Sequence, residues 1–234
     1  MRPSVAIRSS LGGAAASASE AVVAVDIIRA TTTAVTAVAM GRRCYPVADV
    51  DGAFRLAAST PDALLAGEIG GAVPEGFTLS NSPAQLAALN DRRPLVLLSS
   101  SGTRLIDGIR SSPFAYIASF RNYRATIRHL ARLRLPVILV GAPTRGDFRA
   151  EDRMCCAWIA GGLIENGYTA ADQKTDALVR QWRAASRLDF MCSPSVNFLR
   201  RSRQLYDLEF ILQHFDDVDF AFRISGAEIV ALPP

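Results

Sequence analysis

The chain has 234 residues, half of them apolar, 21% charged and 8% aromatic, which excludes disorder, collagen and small disulfide scaffolds. Its formal charge of +4 is carried almost wholly by arginine, with Lys174 the only lysine, and is too small to argue for nucleic acid. No structural metal or disulfide is needed for folding, since a chain this long buries roughly 70% of its unfolded surface.

Near the N-terminus, the Gly/Ala/Ser-rich stretch from Leu11 to Ser19 is preceded by no apolar segment, so a signal peptide is not expected. Beyond it, short β-branched runs alternate with helical periodicity. Strands are predicted at 21–28, 44–47, 63–66, 95–99, 115–118 and 137–140. Helices are predicted at 32–40, 51–58, 83–89, 103–109, 123–133 and 150–165, then at 175–186, 195–203 and 205–214. Two short strands, 220–224 and 228–232, close the pattern. This alternation predicts an α/β fold, three-layer α/β/α with a mostly parallel sheet, in one domain over 1–234. The longest apolar run, broken by Asp26, is far shorter than the roughly 20 residues of a spanning helix, so no membrane partner is expected. Cys44, Cys155, Cys156 and Cys192 lack paired spacing and read as reduced thiols of a cytoplasmic protein.

In parallel sheets, ligands bind beyond the carboxyl ends of strands, where helix N-termini present free N–H groups. Four segments there place polar residues directly after an apolar strand: 26–33, 67–71, 99–104 and 146–152. In the first, an acid (Asp26), a cation (Arg29) and hydroxyls (Thr31, Thr32, Thr33) suit a phosphorylated ligand held with a hard divalent ion. Taken alone, Asp26 could simply pair with Arg29 while the threonines cap a helix. The second carries Glu68 among glycines, either a metal ligand, a base or a solvated loop carboxylate. Ser99 to Arg104 resembles a phosphate cradle, with Ser101, Gly102, Thr103 and Arg104, but it is neither a P-loop nor a dinucleotide fingerprint. The fourth ends in Glu151 and Asp152, which would also complement a helix dipole.

His129 and His214 have no partner at ligand spacing, and Cys155 and Cys156 read as packing residues. Arg121, Arg124, Arg128 and Arg132 fall along one helix side and read as a solvated face rather than a binding stripe.

Taken in order, VVAVDIIRATTTAVTAVAMG from Val22, GEIGGAVPEGFTLSNSP from Gly67, SSSGTR from Ser99 and GDFRAED from Gly146 resemble the 2-phosphosulfolactate phosphatase (ComB) family over nearly the whole chain. The resemblance implies a magnesium-dependent phosphatase acting on the phosphate ester of a small sulfonated hydroxy acid, a step tied to coenzyme M biosynthesis. It implies a small anionic phosphorylated substrate and Mg2+ as cofactor, and Asp26, Arg29, Thr31, Thr32, Glu68, Asn81, Ser82, Gly102, Thr103, Asp147, Glu151 and Asp152 occupy matching positions. The roles follow from the chemistry of the residues: catalysis is expected of Asp26, Arg29 and Glu68, metal ligation of Asp26, Glu68 and Asp152, and substrate binding of Thr31, Thr32, Asn81, Ser82, Gly102, Thr103, Asp147 and Glu151, with Ser101 and Arg104 of the same turn. A homodimer is the default expectation for a soluble enzyme.

Two segments depart from the family pattern. The glycine-rich loop usually reads GERGG, where this chain has Ile69, and the later turn usually reads TNGT, where it has Ser100-Ser101-Gly102-Thr103. Losing a cation removes an anion contact of about 1.5–3 kcal/mol. The alternative reading is therefore a diverged relative that acts on another small metabolite or binds without hydrolysis.

Overall fold

The computed structural model describes residues 2–10, 19–144 and 147–234. In chain order the elements are β1 (Ser4–Arg8), β2 (Ala21–Val25), α1 (Ala30–Ala39), β3 (Cys44–Val47), α2 (Val50–Ser59), β4 (Leu64–Gly67), α3 (Pro83–Ala87), β5 (Leu95–Leu98), α4 (Gly102–Ile109) and β6 (Ala115–Ala118). There follow α5 (Tyr123–Leu133), β7 (Val137–Gly141), β8 (Pro143–Thr144), β9 (Asp147–Phe148), α6 (Ala150–Glu165), β10 (Thr169–Ala170), α7 (Gln173–Trp182), α8 (Pro194–Arg201), α9 (Leu205–Gln213), β11 (Ala221–Ser225) and β12 (Glu228–Leu232). No helix among the described residues is long and apolar enough to cross a membrane.

The fold is α/β, with helices on both faces of a mostly parallel sheet. The sheet runs in the order β10-β1-β7-β2-β6-β11-β12-β3-β5-β4. It contains two parallel blocks, one around β2 and one around β5, joined through the antiparallel hairpin β11–β12. The AVVAV sequence of β2 is buried at every position, as expected for a strand covered on both faces.

Because β6–β11, β11–β12 and β12–β3 are all antiparallel, the two blocks run in opposite senses. Strand twist of about 20–25° per neighbour accumulates to roughly 100–125° between β2 and β5. The sheet therefore coils, and the carboxyl ends of β2, β4 and β5 converge instead of facing opposite edges. Inside the coil, α1 packs on β3, β5, β6 and β12, while α4 packs on β2 and β3. Every residue of α1 from Ala30 to Ala37 is buried, which explains its small Ala/Thr/Val side chains. On the outer face, α6 lays Cys155, Ile159 and Leu163 against Val5, Val23 and Leu139.

The predicted strands 44–47, 115–118 and 228–232 match β3, β6 and β12, the predicted helices 123–133 and 150–165 match α5 and α6, and the other predicted elements from 21 onward are displaced by a few residues at their ends. The sequence reading missed β1 and β10, which pair at one edge and are too short or too polar to stand out. Except for Ser19, the segment read for a leader lies outside the described residues, as does Gly146 of the fourth polar segment.

The arginine side of α5 is not simply solvated. Arg121 pairs with Asp217 at 2.6 Å, Arg124 with Asp216 at 3.1 Å, and Arg128 with Asp219. An acidic loop before β11 thus pairs with three of the four arginines, while Arg132 is exposed. The two adjacent cysteines are buried in the core, where burial pushes both thiols upward.

Candidate active site

At the end of β2 the chain turns sharply into α1. Thr31 pins this turn: its Oγ1 accepts from the Asp26 N–H at 2.9 Å and donates to the Asp26 carbonyl at 2.8 Å. The same device recurs after β5, where the Thr103 hydroxyl accepts from Ser99 N–H at 2.8 Å and donates to its carbonyl at 2.9 Å. Each threonine sits in the first turn of the helix that follows, so both strand ends are clasped from within. Asp26 is thereby held at the base of a cavity of about 340 Å³, a volume at the small end for ligand sites.

Gly102 makes this placement possible. A Cβ there would lie 2.1 Å from Asp26 Oδ2 and 2.4 Å from the Ala30 Cβ, so only glycine lets α4 start against the carboxylate.

Glu68 follows β4 and faces the same cavity. Its Oε1 accepts from Ser100 N–H at 2.8 Å, and its Oε2 accepts from the Ser100 hydroxyl at 3.0 Å and from Gly71 N–H at 2.8 Å. The left-handed Gly70 and Gly71, at φ +60° and +92°, bend the loop back so that this last bond can form. Ile69 is 49% exposed and is not part of the cavity wall.

Two further acids are buried beside Asp26. Asp152 Oδ1 accepts from Ile27 N–H at 2.8 Å, and Glu151 is 1% exposed with no hydrogen bond of normal geometry to either oxygen. Burial, then the charges of Glu68 and Glu151, push Asp26 up to about 7. Asp152 is raised well above its usual range by burial and by Asp26 and Glu151. Burial also raises Glu151, against hydrogen-bonding help from Ser195 and Ser193. Four carboxylates crowd one buried region, yet among the described residues no three Asp, Glu, His or Cys side chains form a ready-made metal cage.

On the opposing side, Arg29 is 5% exposed and is ion-paired through Nη1 with the fully buried Asp207 of α9. The rest of the wall comes from Ser99, Ser100 and Ser101, from Asn81, and from Arg149, Ser195, Phe198 and Arg201. The Asn81 side chain is 2% exposed and its Oδ1 has no partner.

Of the residues singled out from sequence, Asp26, Arg29, Glu68, Asn81 and Ser101 line the cavity, with Gly102, Glu151 and Asp152 packed behind. Others do not reach it. The Thr31, Thr32 and Thr103 hydroxyls donate to main-chain carbonyls, so the expected hydroxyl cradle for phosphate does not form. Ser82 caps α3 and donates to Asp207 at 2.5 Å. Arg104 is exposed, and Asp147 is exposed and paired with Arg149 at 2.9 Å. Sequence reasoning missed Ser195, Phe198, Arg201 and Asp207, which arrive on α8 and α9. Arg149 was visible only as part of the GDFRAED run.

The 2-phosphosulpholactate phosphatase family model matches residues 10–232. The chain belongs to that family. It is 36% identical over 147 residues to a probable 2-phosphosulfolactate phosphatase of Carboxydothermus hydrogenoformans, covering 62% of this chain and 61% of that one. It is 36% identical over 171 residues to a protein of the same description from Pseudothermotoga lettingae, covering 71% of each chain. A Synechocystis relative so described is 33% identical over 172 residues, covering 69% of this chain and 71% of its own. The alignment thus spans about three fifths of the first of these relatives. Within the 2-phosphosulpholactate phosphatase family assignment, the four polar segments fall inside the matched region and meet at one cavity.

Proposed function

We propose that this chain is a magnesium-dependent phosphatase that hydrolyses the phosphate monoester of a small, multiply anionic hydroxy acid of the 2-phosphosulfolactate type. The observation that carries the reading is Asp26: a buried carboxyl raised to about 7, at the base of a small cavity, beside an arginine.

The donor set fits magnesium. The crowded, partly unpartnered carboxylates want a cation, and magnesium needs only one or two protein carboxylates, its remaining positions being taken by water and substrate oxygens. Asp26 and Glu68 open onto the cavity and would hold the ion, with Asp152 behind them. Bound there, the ion would offset charge on the phosphoryl oxygens and acidify water.

The chain's own groups account for the rest. Arg29, with one Nη committed to Asp207, keeps its other donors for a phosphoryl oxygen. Asp26, at the base of the cavity, is placed for its second carboxylate oxygen to take a proton from the attacking water and return it to the departing alkoxide. Water oxygen bonds to phosphorus as the ester P–O bond breaks. Arg149 and Arg201 add cations beyond what one phosphate needs, which supports a substrate carrying further acid groups such as carboxylate and sulfonate. Ile69 stands off the wall, so its replacement of the family arginine puts no apolar group in the cavity.

A panel of small phosphate esters, incubated with magnesium or with chelator, tests this. Phosphate should be released from 2-phosphosulfolactate or a close analogue only with magnesium, and Asp26→Asn should cut the rate by about 100-fold or more. Silence across the panel, or full activity in Asp26→Asn, would overturn the reading.

A further inference from the structure

We infer that Asp207 is a positioning residue of the anion site: it sets the orientation in which Arg29 faces the cavity. This inference rests on the phosphatase reading above and adds to it a group from a distant part of the chain.

Asp207 lies in the first turn of α9, 178 residues from Arg29, and is fully buried. Oδ2 takes the Arg29 Nη1, while Oδ1 accepts from the Ser82 hydroxyl at 2.5 Å and from Ala84 N–H at 3.2 Å. The carboxylate is therefore tied to the start of α3 on one oxygen and steers the guanidinium with the other. Ser82 is fixed in turn, since its Oγ also accepts from Gln85 N–H at 3.0 Å as the cap of α3.

The ion pair is 4% and 0% exposed at its two side chains, so solvent does little to weaken it. A guanidinium is planar, and committing one Nη fixes the plane of the remaining donors. Arg29 alone among the site's arginines is held this way. Arg149 pairs with the exposed Asp147, and Arg201 is itself exposed. If Asp207 only offset a buried charge, the hydrogen bonds from Ser82 and Ala84 to its other oxygen would have no bearing on anion binding. If it positions Arg29, weakening those bonds should loosen the anion site with every charge intact.

The test is inorganic phosphate affinity, measured calorimetrically on the full chain with magnesium, for wild type, Arg29→Ala, Asp207→Asn, Ser82→Ala and the double variant Arg29→Ala/Asp207→Asn. Phosphate binding should weaken roughly ten- to hundredfold in Asp207→Asn and severalfold in Ser82→Ala. It should weaken no further in the double variant than in Arg29→Ala alone, because two residues acting as one unit are not additive. Ser82→Ala keeps the buried pair and covers the case in which Asp207→Asn folds poorly. Affinity unchanged in Ser82→Ala and in folded Asp207→Asn, while Arg29→Ala loses it, overturns the positioning role and leaves the phosphatase reading standing. Additive losses in the double variant overturn it as well. A wild-type chain that binds no phosphate overturns both.

Discussion

Gly102 shows how much of this site depends on a missing side chain. With the Asp26 carboxylate 2.1 Å from where a Cβ would stand, Gly102→Ala must move the acid, α4 or both. We expect it to cost about 1–3 kcal/mol of stability as overpacking and to lower phosphatase turnover by about tenfold or more, read by melting and by steady-state rates on one preparation. An alanine variant with wild-type turnover would mean that the carboxylate position is not critical. At this scale the sequence was partly legible. Asp26, Arg29 and Glu68 stand out as acids and a cation just after apolar strands, where the parallel-sheet rule directs attention. The threonines misled, because a hydroxyl two steps from a strand end reads equally as a ligand donor and as a main-chain clasp. Nothing marked Asp207, an ordinary acid near a helix start, because its importance comes from a contact 178 residues away.

Among the elements, α6 offers a contrast between neighbours. Gly161 and Gly162 are adjacent mid-helix, where alanine is ordinarily favoured by about 1 kcal/mol. A Cβ on Gly161 would meet only Val179, at 3.6 Å, but one on Gly162 would stand 2.5 Å from Ile127 Cδ1 and 3.1 Å from two more of its atoms. Gly161→Ala should therefore raise the melting temperature, and Gly162→Ala should lower it, since three atoms of Ile127, a β-branched side chain stiff at χ1, would have to move together. Matching signs in thermal melts would refute this account of their packing. Helix existence was read well, with α5 and α6 recovered to the residue: α5 has an apolar face that repeats at helical spacing, whereas α6, buried nearly all round, is marked by its acidic first turn and the Asn166-Gly167 stop. What periodicity cannot give is the partner: the α5 arginines looked solvated, and only the folded chain brings Asp216, Asp217 and Asp219 to them.

For the molecule as a whole, the buried acids predict an unusual response to pH. Asp26, Glu151 and Asp152 all have folded pKa values raised above those of an unfolded chain, so the folded state holds more protons once pH exceeds about 4. Their contribution is complete below that pH and is lost as pH rises through the raised folded value of each group, about 7 for Asp26. Metal-free protein should thus melt at a lower temperature at pH 8 than at pH 5. His129, whose lowered pKa acts in the opposite sense near neutrality, is unchanged in Asp26→Asn, so that variant should flatten the slope by removing the acid alone. Magnesium should restore stability more at the higher pH, by binding the folded chain only. An equal slope in wild type and Asp26→Asn would count against the coupling of these acids. The fold class was legible from the alternation of strand and helix patterns, but the coiling was not. It follows from three antiparallel junctions, and strand order cannot be read from local sequence.

That hairpin has a consequence for biogenesis. Residues 221–232 are made after nearly everything they hold together, yet they occupy the middle of the sheet. While the chain is emerging from the ribosome, the half bearing Asp26 and the half bearing Glu68 have no strand to bridge them, and α1 has no enclosure. The pocket is therefore assembled last and all at once, and a nascent chain stalled before residue 221 would expose apolar surface that a chaperone must shield.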